Sequence, residues 1–346
     1  MLKDGRISIK HLIGSGVLVV VSLAISAMLG EGFLRLWGYH GAPESMITNM
    51  YSVDDAVLDW RYLPHSQVVI DNITNSYNSR GFRDVEHSIQ RSPGITRIVV
   101  LGDSVTEGYG VKAEFLFVRQ LQESLGDKYE VVNLSMAGLN TPQEVHLFQK
   151  EGLQYDPSLV ILNVVLNDAD FFTTYRGAQK AIEKADQKIG MFNLRVDPRI
   201  KKALKSSALI YFVKNRVENL YGLMTGAGGS NYYQELWSKE TNRDKVRNGF
   251  DRLRILREQF AFEVLVVIWP VLTEYQNYPF SEIHEWIAGE ARKNRFHVHD
   301  LLPVFSKMHF RDLQVAAEDS IHPNARGHKL AADSVVGLRD RLESLR

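Results

Sequence analysis

The sequence predicts an α/β protein, with a parallel sheet covered by helices on both faces, one N-terminal transmembrane helix and a helical insertion. Three observations carry that expectation. Five short β-branched runs alternate with stretches of helical spacing beyond residue 96. The 18 residues from Leu12 to Leu29 hold no charge. Between the third and fourth runs lies an extra stretch of about 80 residues, roughly 171–250, far more than one crossover needs.

The apolar leader, LIGSGVLVVVSLAISAML, makes about 27 Å of helix at ~1.5 Å per residue, against a hydrocarbon core of ~30 Å. Flanking Phe33, Leu36 and Trp37 can extend it. Lys3, Arg6 and Lys10 stand before it against Asp4, so the positive-inside rule expects the N-terminus in the cytoplasm and residues beyond about 38 on the far side. A cleaved signal peptide, with Ala24-Ile25-Ser26 near the processing site, and a buried core helix are the alternatives. The run exceeds the usual ~7–15-residue signal core, which favours an uncleaved anchor over residues 1–37.

Residues 38–95 are rich in turn formers and lack periodicity, so they are expected as an extended segment packing on the following domain. Arg97–Gly102, Tyr129–Leu134, Leu159–Val165, Val264–Trp269 and Phe296–Leu301 are apolar runs of strand length. Helical spacing marks Phe115–Leu125, Gln143–Leu153, Val246–Phe260, Ile283–Asn294 and the final Gly327–Leu345. Alternation of this kind implies a parallel sheet buried on both faces. Within a domain spanning 96–346, residues 171–250 are expected as a helical insertion or lid, with a helix near Ala203–Leu220 and a Gly-rich break at Gly222–Gly229.

Composition narrows the function. The chain is 45% hydrophobic and 24% charged, values of an ordinary globular protein that exclude a disordered, collagen-like or polytopic membrane chain. With 41 basic and 41 acidic residues it lacks the basic footprint of nucleic-acid binding. The absence of cysteine removes disulfides, thiolate nucleophiles and Cys-ligated metals. The zero net charge is a cancellation, because residues 171–250 hold 15 Lys and Arg against 7 Asp and Glu. Solvated helix faces explain that excess; a surface for anionic lipid or an acidic polymer is the sharper reading.

The chemistry concentrates at strand ends. The first strand runs into Gly102-Asp103-Ser104-Val105-Thr106-Glu107-Gly108, placing a serine where open α/β sheets bind ligands. A hydroxyl needs a general base and a donor for the developing oxyanion. Asp319-Ser320-Ile321-His322-Pro323 supplies a D-x-x-H turn in which Asp319 can hold one imidazole nitrogen of His322 while the other faces the serine. The second strand leads to Gly138 and the third to Asn167-Asp168, so the N–H groups of Ser104 and Gly138 and the Asn167 amide can converge on one oxygen.

With these four blocks in this order, the sequence resembles the SGNH hydrolases, also called the GDSL esterase/lipase superfamily, over about residues 96–346. The resemblance implies a flavodoxin-like three-layer α/β/α sandwich and no metal or organic cofactor. It implies Ser104 as nucleophile, His322 as base, Asp319 as its orienter, and Gly138 with Asn167 as oxyanion hole. Two positions depart from the family pattern: Val165 stands where glycine usually precedes the asparagine by two, and the first block reads GDSV. Neither removes a reacting group, and the first is expected to reshape the pocket floor. Asn78-Ser79-Arg80-Gly81-Phe82-Arg83 is similar to a motif of membrane-anchored bacterial relatives, some of which are O-acyltransferases of surface polysaccharides.

Simpler roles compete at several positions. Ser104 could be a helix N-cap. Thr106 and Glu107 are expected as a cap and a solvated acid, Asp168 as turn chemistry, and His328 as a surface residue. His297, His299 and Asp300 suggest a metal cluster, but on a strand Asp300 points away from the two histidines. Tyr232, Tyr233 and Trp237 are expected to pack rather than to form a sugar platform.

The expected protein is a single-pass serine esterase with its catalytic domain on the periplasmic or extracellular side of a bacterial inner membrane. Its substrate would be an acyl-ester small molecule, a lipid or an acylated polysaccharide. An O-acetyltransferase using the same triad, and a non-catalytic glycan-binding domain, are the alternatives.

Overall fold

The computed structural model describes residues 9–37, 49–70, 73–169, 204, 206–225, 231–316 and 319–338. Two compact units are present, residues 1–44 with 183–227 and residues 45–182 with 228–346.

In the first unit, α1 (Ile9–Leu36) contains the apolar stretch Gly14–Leu36, 23 residues, long enough to cross a membrane or to act as a signal sequence. Its partner is α5 (Ala208–Thr225), which runs through Gly222. The Glu31 carboxylate caps the start of α5, accepting from Ala208 N–H at 3.0 Å, Leu209 N–H at 2.8 Å and the Ser207 hydroxyl at 2.8 Å. A carboxylate here satisfies orphan donors and complements the helix dipole. The remainder of the insertion at 170–203, and residues 226–230 of the Gly-rich break, lie outside the described residues.

In the second unit, residues 50–76 form two antiparallel hairpins, where the sequence suggests only an extended segment. They are β1 (Met50–Ser52) with β2 (Trp60–Tyr62), and β3 (Gln67–Ile70) with β4 (Ile73–Ser76). Strands of three or four residues are too short to show a period. Trp60, Tyr62, Val68, Ile70 and, just beyond, Tyr77 and Phe82 join one of the two main cores.

The five predicted strands all form: β5 (Thr96–Leu101), β6 (Tyr129–Asn133), β7 (Leu159–Val164), β8 (Glu263–Ile268) and β9 (His297–Asp300). They make one parallel sheet in the order β6-β5-β7-β8-β9. Side-chain alternation divides its core. Val99, Leu101, Val160 and Leu162 face α4 (Thr141–Leu147), α7 (Glu240–Phe260) and α8 (Ser281–Lys293), in a cluster with Val145, Phe250 and Ile287. Ile98, Val100 and Ile161 face α3 (Phe117–Leu125) and α9 (Ala325–Val336), with Phe117, Leu121 and Val335. Helices on both faces explain why the strands read as unbroken apolar runs. The order reverses between β5 and β7, and such a switch point opens a crevice at the carboxyl ends of those strands.

Candidate active site

Ser104 follows β5 as the first residue of the one-turn α2 (Ser104–Glu107). The N-cap is Asp103, whose carboxylate accepts from Val105 N–H at 2.9 Å, so the serine is free of the capping role that its position suggests. Gly102 makes the turn close: a Cβ there would fall 2.0 Å from Thr106 Oγ1. Thr106 is itself buried and accepts from Asn163 Nδ2 at 2.9 Å, tying α2 to β7.

His322 Nε2 lies 3.0 Å from Ser104 Oγ. His322 Nδ1 lies 2.9 Å from Asp319 Oδ2. Asp319 Oδ1 also accepts the backbone N–H groups of Ile321 and His322, at 3.0 and 2.9 Å, the self-capping that a D-x-x-H turn allows. Burial pushes the Asp319 carboxyl up, but the bonds and charge from His322 and the two N–H groups outweigh it and hold the carboxyl below its usual range. The turn is fixed by Ser320 O, which accepts from Leu272 N–H at 2.7 Å, and by the Tyr109 ring, 4.7 Å from the imidazole. With the imidazole proton on Nδ1, the Nε2 lone pair faces the serine hydroxyl, and this arrangement can take up its proton.

Asn167 sits in the 3-10 turn Leu166–Ala169 after β7, and its Nδ2 donates to Asp103 Oδ2 at 3.1 Å. That same carboxylate oxygen is 3.3 Å from Ser104 Oγ. Trp237, on α6 (Asn231–Ser238), donates its indole N–H to Leu166 O at 2.7 Å and so fixes the turn that carries Asn167. Trp237 and Tyr233 are buried in the core, whereas Tyr232 is exposed. Val165 packs in the second core with Trp269 and Leu272.

Gly138 occupies the loop between β6 and α4 with φ +80°, a conformation in which a Cβ would be strained. Around it the backbone N–H groups are taken up in turn. Ser135 donates to Asn133 Oδ1, Met136 to Gly102 O, Ala137 to Glu107 Oε2, Leu139 to Met136 O and Asn140 to Gln143 Oε1. Among the described residues no partner takes the Gly138 N–H.

Three expectations are overturned, at Glu107, His328 and Asp168. Glu107 is no solvated acid: it is 1% exposed and accepts from Tyr77 OH at 2.8 Å and Tyr62 OH at 3.2 Å. Burial raises its pKa, against the two hydroxyls, the Ala137 N–H and the nearby Arg83 charge. His328 is fully buried; its Nδ1 accepts from Phe117 N–H at 2.9 Å, and burial pushes the ring down to about 3. Asp168 is buried and accepts from Thr141 Oγ1 at 2.9 Å; burial, reinforced by the Asp103 charge, drives its carboxyl well up. His299 pairs with Ser334 at 2.7 Å and Asp300 with His284 at 3.0 Å, so the H-x-H-D residues serve separate contacts. Asp103, Tyr109 and Trp237 are neighbours of the site that sequence reasoning assigned no part in it; only the Asx-turn character of Asp103 carries a local signal.

The profile of the GDSL-like lipase/acylhydrolase family matches residues 100–330. The chain belongs to that family, and its sheet and flanking helices have the SGNH fold. Similar solved structures include TesA, 14% identical with a TM-score of 0.44, aligned over 71% of this chain and 99% of its own. An acetyl xylan esterase, AlAXEase, is 17% identical with a TM-score of 0.43, over 70% of this chain and 98% of that one. The psychrotrophic esterase EstA from Pseudoalteromonas sp. is 14% identical with a TM-score of 0.41, over 72% and 99%. A search of curated protein sequences returned no match.

Proposed function

We propose that the protein is a membrane-anchored serine esterase that cleaves an O-acyl ester outside the cytoplasm. The observation that carries this reading is the unbroken relay from Ser104 Oγ through His322 to Asp319 at the sheet's switch point. Ser104 attacks the acyl carbonyl, His322 takes the hydroxyl proton and returns it to the leaving alkoxide, and Asp319 holds the imidazole tautomer. The N–H groups of Ser104 and Gly138 and the Asn167 amide receive the oxyanion. Water then attacks the acyl-enzyme, with His322 again as base, and releases the acid. The apolar Gly14–Leu36 stretch and the basic residues before it support an anchor with a cytoplasmic N-terminus.

The test uses the full chain in detergent micelles with p-nitrophenyl esters of increasing acyl length. Turnover that Ser104→Ala abolishes, with fluorophosphonate labelling of the Ser104 peptide, is the expected result. Retention of wild-type turnover by Ser104→Ala would refute the mechanism. Mass spectrometry with added glycan acceptors separates hydrolysis, which yields free acid alone, from transfer, which yields acyl-glycan.

A further inference from the structure

Glu107 lies at the end of the one-turn helix that Ser104 begins, and four parts of the chain converge on it. Tyr62 comes from β2 and Tyr77 follows β4; both donate their hydroxyls to its carboxylate. Ala137, from the loop after β6, donates its backbone N–H to the same carboxylate. Arg83 closes the cage from below by donating to the carbonyls of Glu107 at 3.0 Å, Gly108 at 2.6 Å and Val111 at 2.6 Å. Tyr62, Tyr77, Arg83 and Glu107 are all 4% exposed or less. A buried carboxylate of this kind is stiff, because any movement would leave it or one of its donors without a partner in a medium of low dielectric.

What this rigidity controls is the loop at Gly138. The backbone bond from Met136 N–H to Gly102 O fixes one side of that loop, and the bond from Ala137 N–H to Glu107 fixes the next peptide. With Leu139 N–H turned back to Met136 O, Gly138 is the position in the 135–140 stretch whose N–H no described partner uses. An oxyanion donor works through being aimed before the charge develops. Ala137 is its immediate neighbour, and the anchor of Ala137 is Glu107.

We propose that Glu107, caged by Tyr62, Tyr77 and Arg83, is a positioning residue that aims the Gly138 N–H at the oxyanion formed on Ser104. This rests on the esterase reading and extends it. It makes the hairpin segment before β5, which carries both tyrosines and Arg83, a working part of the active site.

The test compares Glu107→Leu, Glu107→Gln and Tyr77→Phe with the parent full chain in micelles, using p-nitrophenyl acetate. Glu107→Leu removes the acceptor for Ala137 N–H and is expected to lower kcat by about 10²-fold, in the range of losing an oxyanion donor, with KM nearly unmoved. Glu107→Gln keeps a carbonyl oxygen for Ala137 and is expected to recover most of that loss. Affinity for an alkyl boronic acid, whose tetrahedral adduct on Ser104 puts an oxygen in the oxyanion position, should fall by the same factor as kcat. A purely structural role would leave those two measurements uncorrelated. If Glu107→Leu does not fold, Tyr77→Phe gives the same reading at smaller size, with kcat down about fivefold and KM unchanged. A folded Glu107→Leu, or failing that a folded Tyr77→Phe, with parental kcat and boronate affinity overturns the proposal. Ser104→Ala measured alongside keeps the two claims apart: if it still turns over, the esterase reading fails; if it is dead while the clamp variants match the parent, only the clamp fails.

Discussion

The Asp319–His322 arm is built from one turn and stands near the surface, with side chains about one-fifth exposed. The Glu107 cage is assembled from four chain segments and is sealed from solvent. The arm meets Ser104 at the end of β5, and the cage joins the helix that Ser104 begins to the loop after β6. On the proposed reading, the difference follows from what each must do. Groups that exchange protons with a substrate have to be reachable, and a local turn is enough to pre-set their geometry. A group that aims a backbone donor has to be immobile, and burial among long-range partners provides that stiffness.

If this contrast is right, the arm and the cage should fail differently. His322→Ala is expected to lower kcat by about 10⁵-fold or more while leaving the unfolding midpoint near the parent value; a large loss of stability would break the contrast. Asn167→Ala, at the third strand end, should cost about 10²–10³-fold in kcat, again with stability little changed, as calorimetry of the same preparation will show. Arg83→Met removes a donor from three buried carbonyls, of which, among the described residues, only Gly108 O keeps a backbone donor, Val111 N–H. It should lower stability by about 2–4 kcal/mol, measured by denaturant unfolding, with a smaller effect on turnover per folded molecule.

The smallest effect concerns pH. Burial holds the folded-state pKa of His328 at about 3, below the ~6.5 of an unfolded histidine. The unfolded chain therefore takes up this proton first, so the contribution is intact above pH ~6.5 and drains as pH falls toward ~3, at up to ~1.4 kcal/mol per pH unit. At pH 5 that is about 2 kcal/mol. His328→Gln, which cannot titrate, should flatten the decline in stability between pH 6.5 and 5; an unaltered slope would show that other groups carry it.

The sheet and the Asp319–His322 contact were legible in the sequence for a shared reason. Val99, Val160 and Val264 sit in strands buried on both faces, so burial imprints itself on consecutive residues. Asp319 and His322 are three apart and their contact is made within the turn. Glu107 and His328 were misread because their burial comes from afar. Tyr77 is 30 residues from Glu107, and Phe117 is 211 residues from His328; no window around either residue records such a partner. The hairpins at 50–76 escaped because strands so short leave alternation indistinguishable from turn composition.

The cap that Glu31 places on α5 also sets an order of events during synthesis. Glu31 and Ser207 are 176 residues apart, so at ~5–20 residues per second the apolar helix α1 waits roughly 10–35 s before its partner is made. Through that interval a carboxylate at the end of the apolar helix has no helix start to bind. Docking within the first unit therefore comes late in synthesis, after the first three strands of the sheet have been made.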